Sequence, residues 1–130
     1  MITNPWMYEG VEFKPPKEFT PEVYYGFVYC ITNRATNKKY IGKKFFWNKK
    51  ILPKTKTRRR RKHIKVESDW KEYYGSSIEL KEDLALIEDI NYIKRTIIRL
   101  CKTKGECSYY EAKEQFDKKA LLSDEYYNNF

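Results

Sequence analysis

Apolar and polar positions follow two rhythms along this chain, and the rhythm changes mark its elements. Phe27-Val28-Tyr29-Cys30-Ile31-Thr32 is dominated by aromatic and β-branched residues and predicts a strand. Asn33 to Lys38 (NRATNK) is turn chemistry. Lys39-Tyr40-Ile41 predicts a second short strand that stops at Gly42. Together they form a β-hairpin over about residues 25–46 with one tyrosine on each arm. Cross-strand neighbours on one face lie roughly 4.5–5.5 Å apart at Cβ, so Tyr29 and Tyr40 are expected to converge. Further on, Leu80, Leu84 and Ile87 recur at helical spacing behind Ser76 and Ser77, either of which suits a cap. Ser68 is expected to cap a short helix from Asp69 to Gly75, with Trp70, Tyr73 and Tyr74 turned inward. Asp89-Ile90-Asn91 reads as a turn, and Tyr92 to Cys101 as the middle strand of the sheet. Lys102 to Cys107 reads as a loop. A final helix is expected at about 109–121, with Tyr109, Ala112 and Phe116 as its buried stripe.

These elements add up to a small α/β or α+β layer, a three-stranded antiparallel or mixed sheet flanked by helices. A length of 130 residues suits one domain with its own core. Residues 1–22 carry Pro5, Pro15, Pro16 and Pro21 and predict an N-terminal arm, pinned by Trp6, Tyr8 and Phe13. The domain proper is expected over 23–130, with 47–65 inserted as a loop broken by Pro53. No apolar run is long enough to span a bilayer, and the N-terminus lacks the pattern of a signal peptide. Cys30, Cys101 and Cys107 are an odd number without close pairing, which predicts free thiols in a reducing cytoplasm. With one histidine, a Cys/His zinc site is not expected.

Charge changes the picture. The net charge is +9, yet between Val23 and Val66 there is no acidic residue and there are 15 basic ones. Lys49, Lys50, Lys54, Lys56, Arg58, Arg60, Arg61, Lys62 and Lys65 crowd the predicted loop. So many like charges repel one another unless a polyanion compensates them, and phosphates do so with release of counterions. These residues are therefore nucleic-acid-binding candidates. DNA and RNA are equally compatible with charge alone.

Tyr29-Cys30-Ile31-Thr32-Asn33 followed by Lys39-Tyr40-Ile41-Gly42-Lys43 resembles the opening of a GIY-YIG nuclease domain. Ser68-Asp69-Trp70-Lys71-Glu72-Tyr73-Tyr74-Gly75-Ser76-Ser77 is similar to the small Seg-type phage members. The YIG half is intact, whereas Phe27-Val28-Tyr29 replaces the GIY half and Gly26 stands one place early. The resemblance implies a metal-dependent DNA endonuclease acting on double-stranded DNA, cutting to leave a 3′ hydroxyl and a 5′ phosphate. It implies a host-cell cytoplasmic setting if the chain is phage-encoded. A catalytically silent DNA- or RNA-binding module with the same fold is the alternative. Target preference is expected to come from the basic loop or from a homodimer.

The resemblance also implies roles. Tyr29 and Tyr40 are the paired tyrosines, one of them a general base on water, and both also suit a packed cross-strand aromatic pair. An unperturbed phenol near pKa 10 is a poor base at neutral pH. Lys43, Lys44 and a metal ion are expected to favour its phenolate. The metal, Mg²⁺ or Mn²⁺, falls to Glu111, preferred over Glu114; Ser108-x-x-Glu111 reads equally as a capping box. Lys50 stands where the family carries an arginine, so the cationic role passes to the Arg58–Arg61 run. Arg59 and His63 are four apart, as on one helical face, and Arg99 is a further candidate, expected to pair with a carboxylate. Asn128 resembles the family's terminal asparagine beside the metal glutamate.

Overall fold

The computed structural model describes residues 4–129; the extreme ends of the expected arm and tail lie outside the described residues. The predicted hairpin is present as β3 (Gly26–Asn33) and β4 (Lys38–Phe45). Strand β3 is buried on both faces, which is why it reads as a near-continuous apolar run. Strand β7 (Ile93–Cys101) lies antiparallel to β3 on its other side. The arm contributes β1 (Met7–Tyr8), parallel to β7, and β2 (Val11–Glu12). The sheet order is β2-β1-β7-β3-β4, so β7 is central as expected, but the sheet has five strands, not three. Two-residue strands carry too little periodicity to be seen in a sequence; pairing of β1 with β7, and of β2 with β1, creates them.

Two apolar clusters cover the sheet. One gathers Trp6, Phe27, Tyr29, Ile31, Phe46, Trp70, Leu80, Ile93 and Ile97. The other gathers Val28, Ile41, Cys101, Cys107 and Tyr126 under helix α2 (Lys104–Asp117). The arm is held by Trp6, whose indole N–H donates to the Trp70 carbonyl at 2.7 Å. Helix α1 (Ile78–Leu86) starts at Ser77, whose hydroxyl accepts the Leu80 N–H, and buries Leu80 fully.

Several expectations are corrected. Residues 47–65 are not a loop: β5 (Trp47–Leu52) and β6 (Lys62–Glu67) form a separate antiparallel hairpin, and Pro53 merely ends β5. Its strands are largely exposed, so lysines occupy positions that would otherwise show an apolar alternation. Ser68 caps nothing; its hydroxyl donates to the Phe45 carbonyl, and only a 3₁₀ turn, Trp70–Glu72, follows. Most of the loop predicted at 102–107 is helical: α2 begins at Lys104, because Thr103 accepts the Glu106 N–H. Thr103-x-x-Glu106 therefore marks the helix start. Ser108-x-x-Glu111 lies inside the helix, and Glu111 has no capping duty. The expected stripe is turned outward: Tyr109 and Phe116 are exposed, and Cys107, Glu111 and Gln115 face inward instead.

Candidate active site

The site forms along the outer edge of β4. Tyr29 pairs with Gly42 and Ile31 with Tyr40, which puts the two tyrosines on one face as diagonal neighbours. Their ring centroids are 6.1 Å apart. A β-bulge between Val28 and Tyr29 in the pairing with β7 re-aims β3 at this point. Gly42 is what lets the Tyr29 ring through. A Cβ built there would stand 2.5 Å from the Tyr29 hydroxyl oxygen. The end of the ring thus lies against the backbone of the edge strand, where a side chain would otherwise stand. Gly75, with φ of 90°, flanks the Tyr40 ring in the same way.

Both phenols have partners in the YYGSS segment. The Tyr40 hydroxyl is 2.9 Å from the Ser76 hydroxyl. The Tyr73 ring meets Tyr29 edge-on at 6.0 Å, and Lys44 Nζ lies 4.2 Å from the centre of that Tyr73 ring. The YYGSS segment is therefore part of the site. It is held by Arg95, 2 % exposed, which donates to the carbonyls of Lys71 and Tyr73, each at 2.9 Å, and of Asn4. The Arg95 guanidinium is sandwiched between the Trp6 and Tyr74 rings. Nothing in the local sequence marks this arginine, because all its acceptors are far away along the chain.

The electrostatics differ from expectation. Burial, then the Tyr73 and Tyr40 phenols, then Glu111 push the Tyr29 phenol far above its ordinary value. Burial also raises Tyr40, opposed by its bond to Ser76, and Tyr73 and Glu111 add to the rise. Lys43 and Lys44 do not favour phenolates here. Lys44 is drawn 2.7 Å from Asp69, and Lys43 donates to Ser108 while standing 3.8 Å from Glu111. Both tyrosines are neutral at neutral pH in the free protein.

Glu111 approaches from the other face, on α2, beside Lys43. Lys43 follows Gly42 on β4, so the carboxylate that approaches it stands at the same edge of the sheet as the Tyr29 ring over Gly42. Glu114 instead lines a separate crevice with Lys39, Lys118 and Tyr126. Asn128 completes the edge. Its amide accepts the Ile41 N–H at 2.9 Å and donates to the Ile41 carbonyl at 2.8 Å, extending the strand through a side chain. Gln115 donates to the same carbonyl.

A metal fits this donor set in only one form. Among the described residues, no three His, Cys, Asp or Glu side chains gather to cage an ion. Glu111, with its side chain 24 % exposed, offers a single carboxylate of hard oxygen donors. That suits Mg²⁺ or Mn²⁺ retaining most of its waters and does not suit zinc.

The remaining candidates lie elsewhere. Arg59 sits in the tip between β5 and β6, and His63 lies in β6 opposite Ile51, so no helix sets them on one face. No hydrogen bond or ion pair joins either to Tyr29, Tyr40 or Glu111 among the described residues. Arg99 stacks 3.6 Å over the Tyr110 ring and has no carboxylate partner among the described residues. Lys49, Lys50, Lys54, Lys56, Arg60, Arg61, Lys62 and Lys65 are exposed or half-buried along the β5–β6 hairpin, as is Lys50 at the expected arginine position. Arg58 folds back on the Pro53 and Arg60 carbonyls.

A family model described as "Putative endonuclease segE, GIY-YIG domain" matches residues 6–130. No curated protein and no solved structure matches the chain.

Proposed function

Because the chain belongs to the SegE GIY-YIG domain family, we propose that it is a metal-dependent DNA endonuclease whose reacting groups stand along the β4 edge. The observation that carries this reading is the passage of the Tyr29 ring over Gly42 to meet Tyr40, with Glu111 standing beside Lys43, the next residue of the same edge. Phosphodiester hydrolysis needs an oriented water, neutralised phosphoryl oxygens and a protonated leaving oxygen.

The residues divide this work. Tyr29 and Tyr40 orient the attacking water, and Tyr40 is the more accessible base, since Tyr29 is 1 % exposed. Its free phenolate is disfavoured, so as it takes the proton of the water its own proton passes to the exposed Ser76 hydroxyl and from there to solvent. Ser76 holds the Tyr40 hydroxyl in place. Glu111 is the ligand for a hydrated divalent cation, which supplies positive charge to the scissile phosphate when bound. Lys43, released from Glu111 and Ser108, is placed to meet a phosphate oxygen. Asn128 keeps the Ile41–Gly42 edge straight through its paired bonds. The basic β5–β6 hairpin, including Arg59 and His63, grips the duplex backbone.

Supercoiled plasmid incubated with the protein and Mg²⁺ or Mn²⁺ tests the reading. Nicked product that disappears with Tyr40→Phe and with Glu111→Gln supports it. Salt-sensitive DNA binding with no nicking in either metal overturns the enzyme and leaves the silent binding module.

A further inference from the structure

Away from the β4 edge, a cleft of about 490 Å³ opens at the foot of the β5–β6 hairpin. Its walls bring together Lys49 from β5, Lys65 from β6, and Lys102 and Lys104 from the junction of β7 with α2. Its floor is Tyr25, 5 % exposed, with Lys65 Nζ 4.8 Å and Lys104 Nζ 5.8 Å from the ring centre. Glu22 is the carboxylate on its wall, yet none of the four lysines makes an ion pair among the described residues.

This arrangement works against the fold's own stability. Lys49 and Lys65 are direct cross-strand partners, and like charges opposite one another are unfavourable. Lys104 is the first residue of α2, where the aligned peptide dipoles already present a positive end. Four unpaired cations from three segments, around an aromatic floor, call for an anion that the folded chain does not itself supply.

We propose that this cleft is a second nucleic-acid contact, binding backbone phosphates of the duplex whose cleavage the β4 edge performs; it rests on that reading for its substrate. Helix α2 links the two places. Lys104 and Glu111 are seven residues apart on it, about 10 Å at 1.5 Å per residue. That is about three nucleotide steps at 3.4 Å rise per strand. The cleft and the β4 edge therefore lie within reach of one duplex, and Lys102 and Lys104 are binding residues for its phosphates.

The test uses the full chain and a fluorescent duplex in EDTA, with binding followed by anisotropy across KCl concentrations. Lys102→Gln/Lys104→Gln is expected to weaken binding roughly tenfold or more and to reduce the salt slope by about 1.8. Lys49→Gln/Lys65→Gln is expected to weaken binding while leaving the thermal midpoint equal or higher, which separates contact loss from misfolding. An unchanged slope for natively folded Lys102→Gln/Lys104→Gln overturns the proposal. So does inorganic tripolyphosphate that binds the wild type, loses affinity in that variant, and fails to displace duplex. No divalent ion is needed, so a chain that never nicks DNA yet shows these slopes refutes the nuclease reading alone.

Discussion

Tyr29 and Gly42 are cross-strand partners in which the missing side chain of one is filled by the ring of the other, to within 2.5 Å of where a Cβ would stand. The glycine of the YIG triplet is thus a steric requirement of the first tyrosine, not a turn residue. Gly42→Ala is expected to displace the Tyr29 phenol and to cost on the order of 1–3 kcal/mol by overpacking. Plasmid nicking should fall far more than urea stability does. Wild-type nicking by Gly42→Ala would break the proposed link between this contact and the chemistry.

Tyr40→Phe should leave the fold nearly intact. Its hydroxyl bonds only the exposed Ser76 hydroxyl, worth about 0.5–1.5 kcal/mol at most. Loss of a general base lowers turnover by roughly 10²–10⁴. Single-turnover cleavage beside a denaturation curve separates the two, and a variant that cuts at the wild-type rate removes Tyr40 from the reaction.

Glu111→Gln should abolish cleavage at every Mg²⁺ and Mn²⁺ concentration with little effect on melting. The carboxylate's 3.8 Å approach to Lys43 is a part-exposed pair, worth less than about 1 kcal/mol. Rescue of activity by raising the metal concentration would show that another residue carries the ion.

Alkaline pH should destabilise the protein from pH 10 upward. Burial, then donation to Asp83, pushes the Tyr127 phenol up to about 12, and burial raises Tyr29 and Tyr40 as well. A phenol raised in the native state keeps its proton longer there. Its stabilisation is complete below pH 10 and is lost as pH climbs towards 12. Urea midpoints should fall from pH 10 upward, and Tyr127→Phe should make that fall shallower. A midpoint constant to pH 11.5 would contradict the assignment.

Arg95→Met should be among the most damaging single changes, on the order of 3 kcal/mol, because it strands the buried carbonyls of Lys71, Tyr73 and Asn4. Thermal unfolding measures it. A change under about 1 kcal/mol would mean that water replaces the guanidinium.

Much of the site was legible in one dimension. Tyr29, Tyr40 and the YYGSS segment announce themselves by residue type and spacing, and so does the run of 15 basic residues without an acidic one. The start of α2 is not legible locally, because Ser108-x-x-Glu111 and Thr103-x-x-Glu106 carry equal local signals, and only the packing of Cys107 against Gly26 and Cys101 decides between them. Tyr109 and Phe116 look like core residues by spacing, yet the sheet lies against the opposite face of the helix.

The order of residues alone determined the hairpin, the capped helix α1, the central strand and the concentration of positive charge, since each depends on neighbours a few positions away. Tertiary structure alone decided the two short strands that the arm adds to the sheet, the hairpin hidden in the basic insertion, the burial that keeps both phenols protonated and the lysine cleft at the start of α2. Those rest on groups brought together from distant parts of the chain, where desolvation and register act and local propensity has no information.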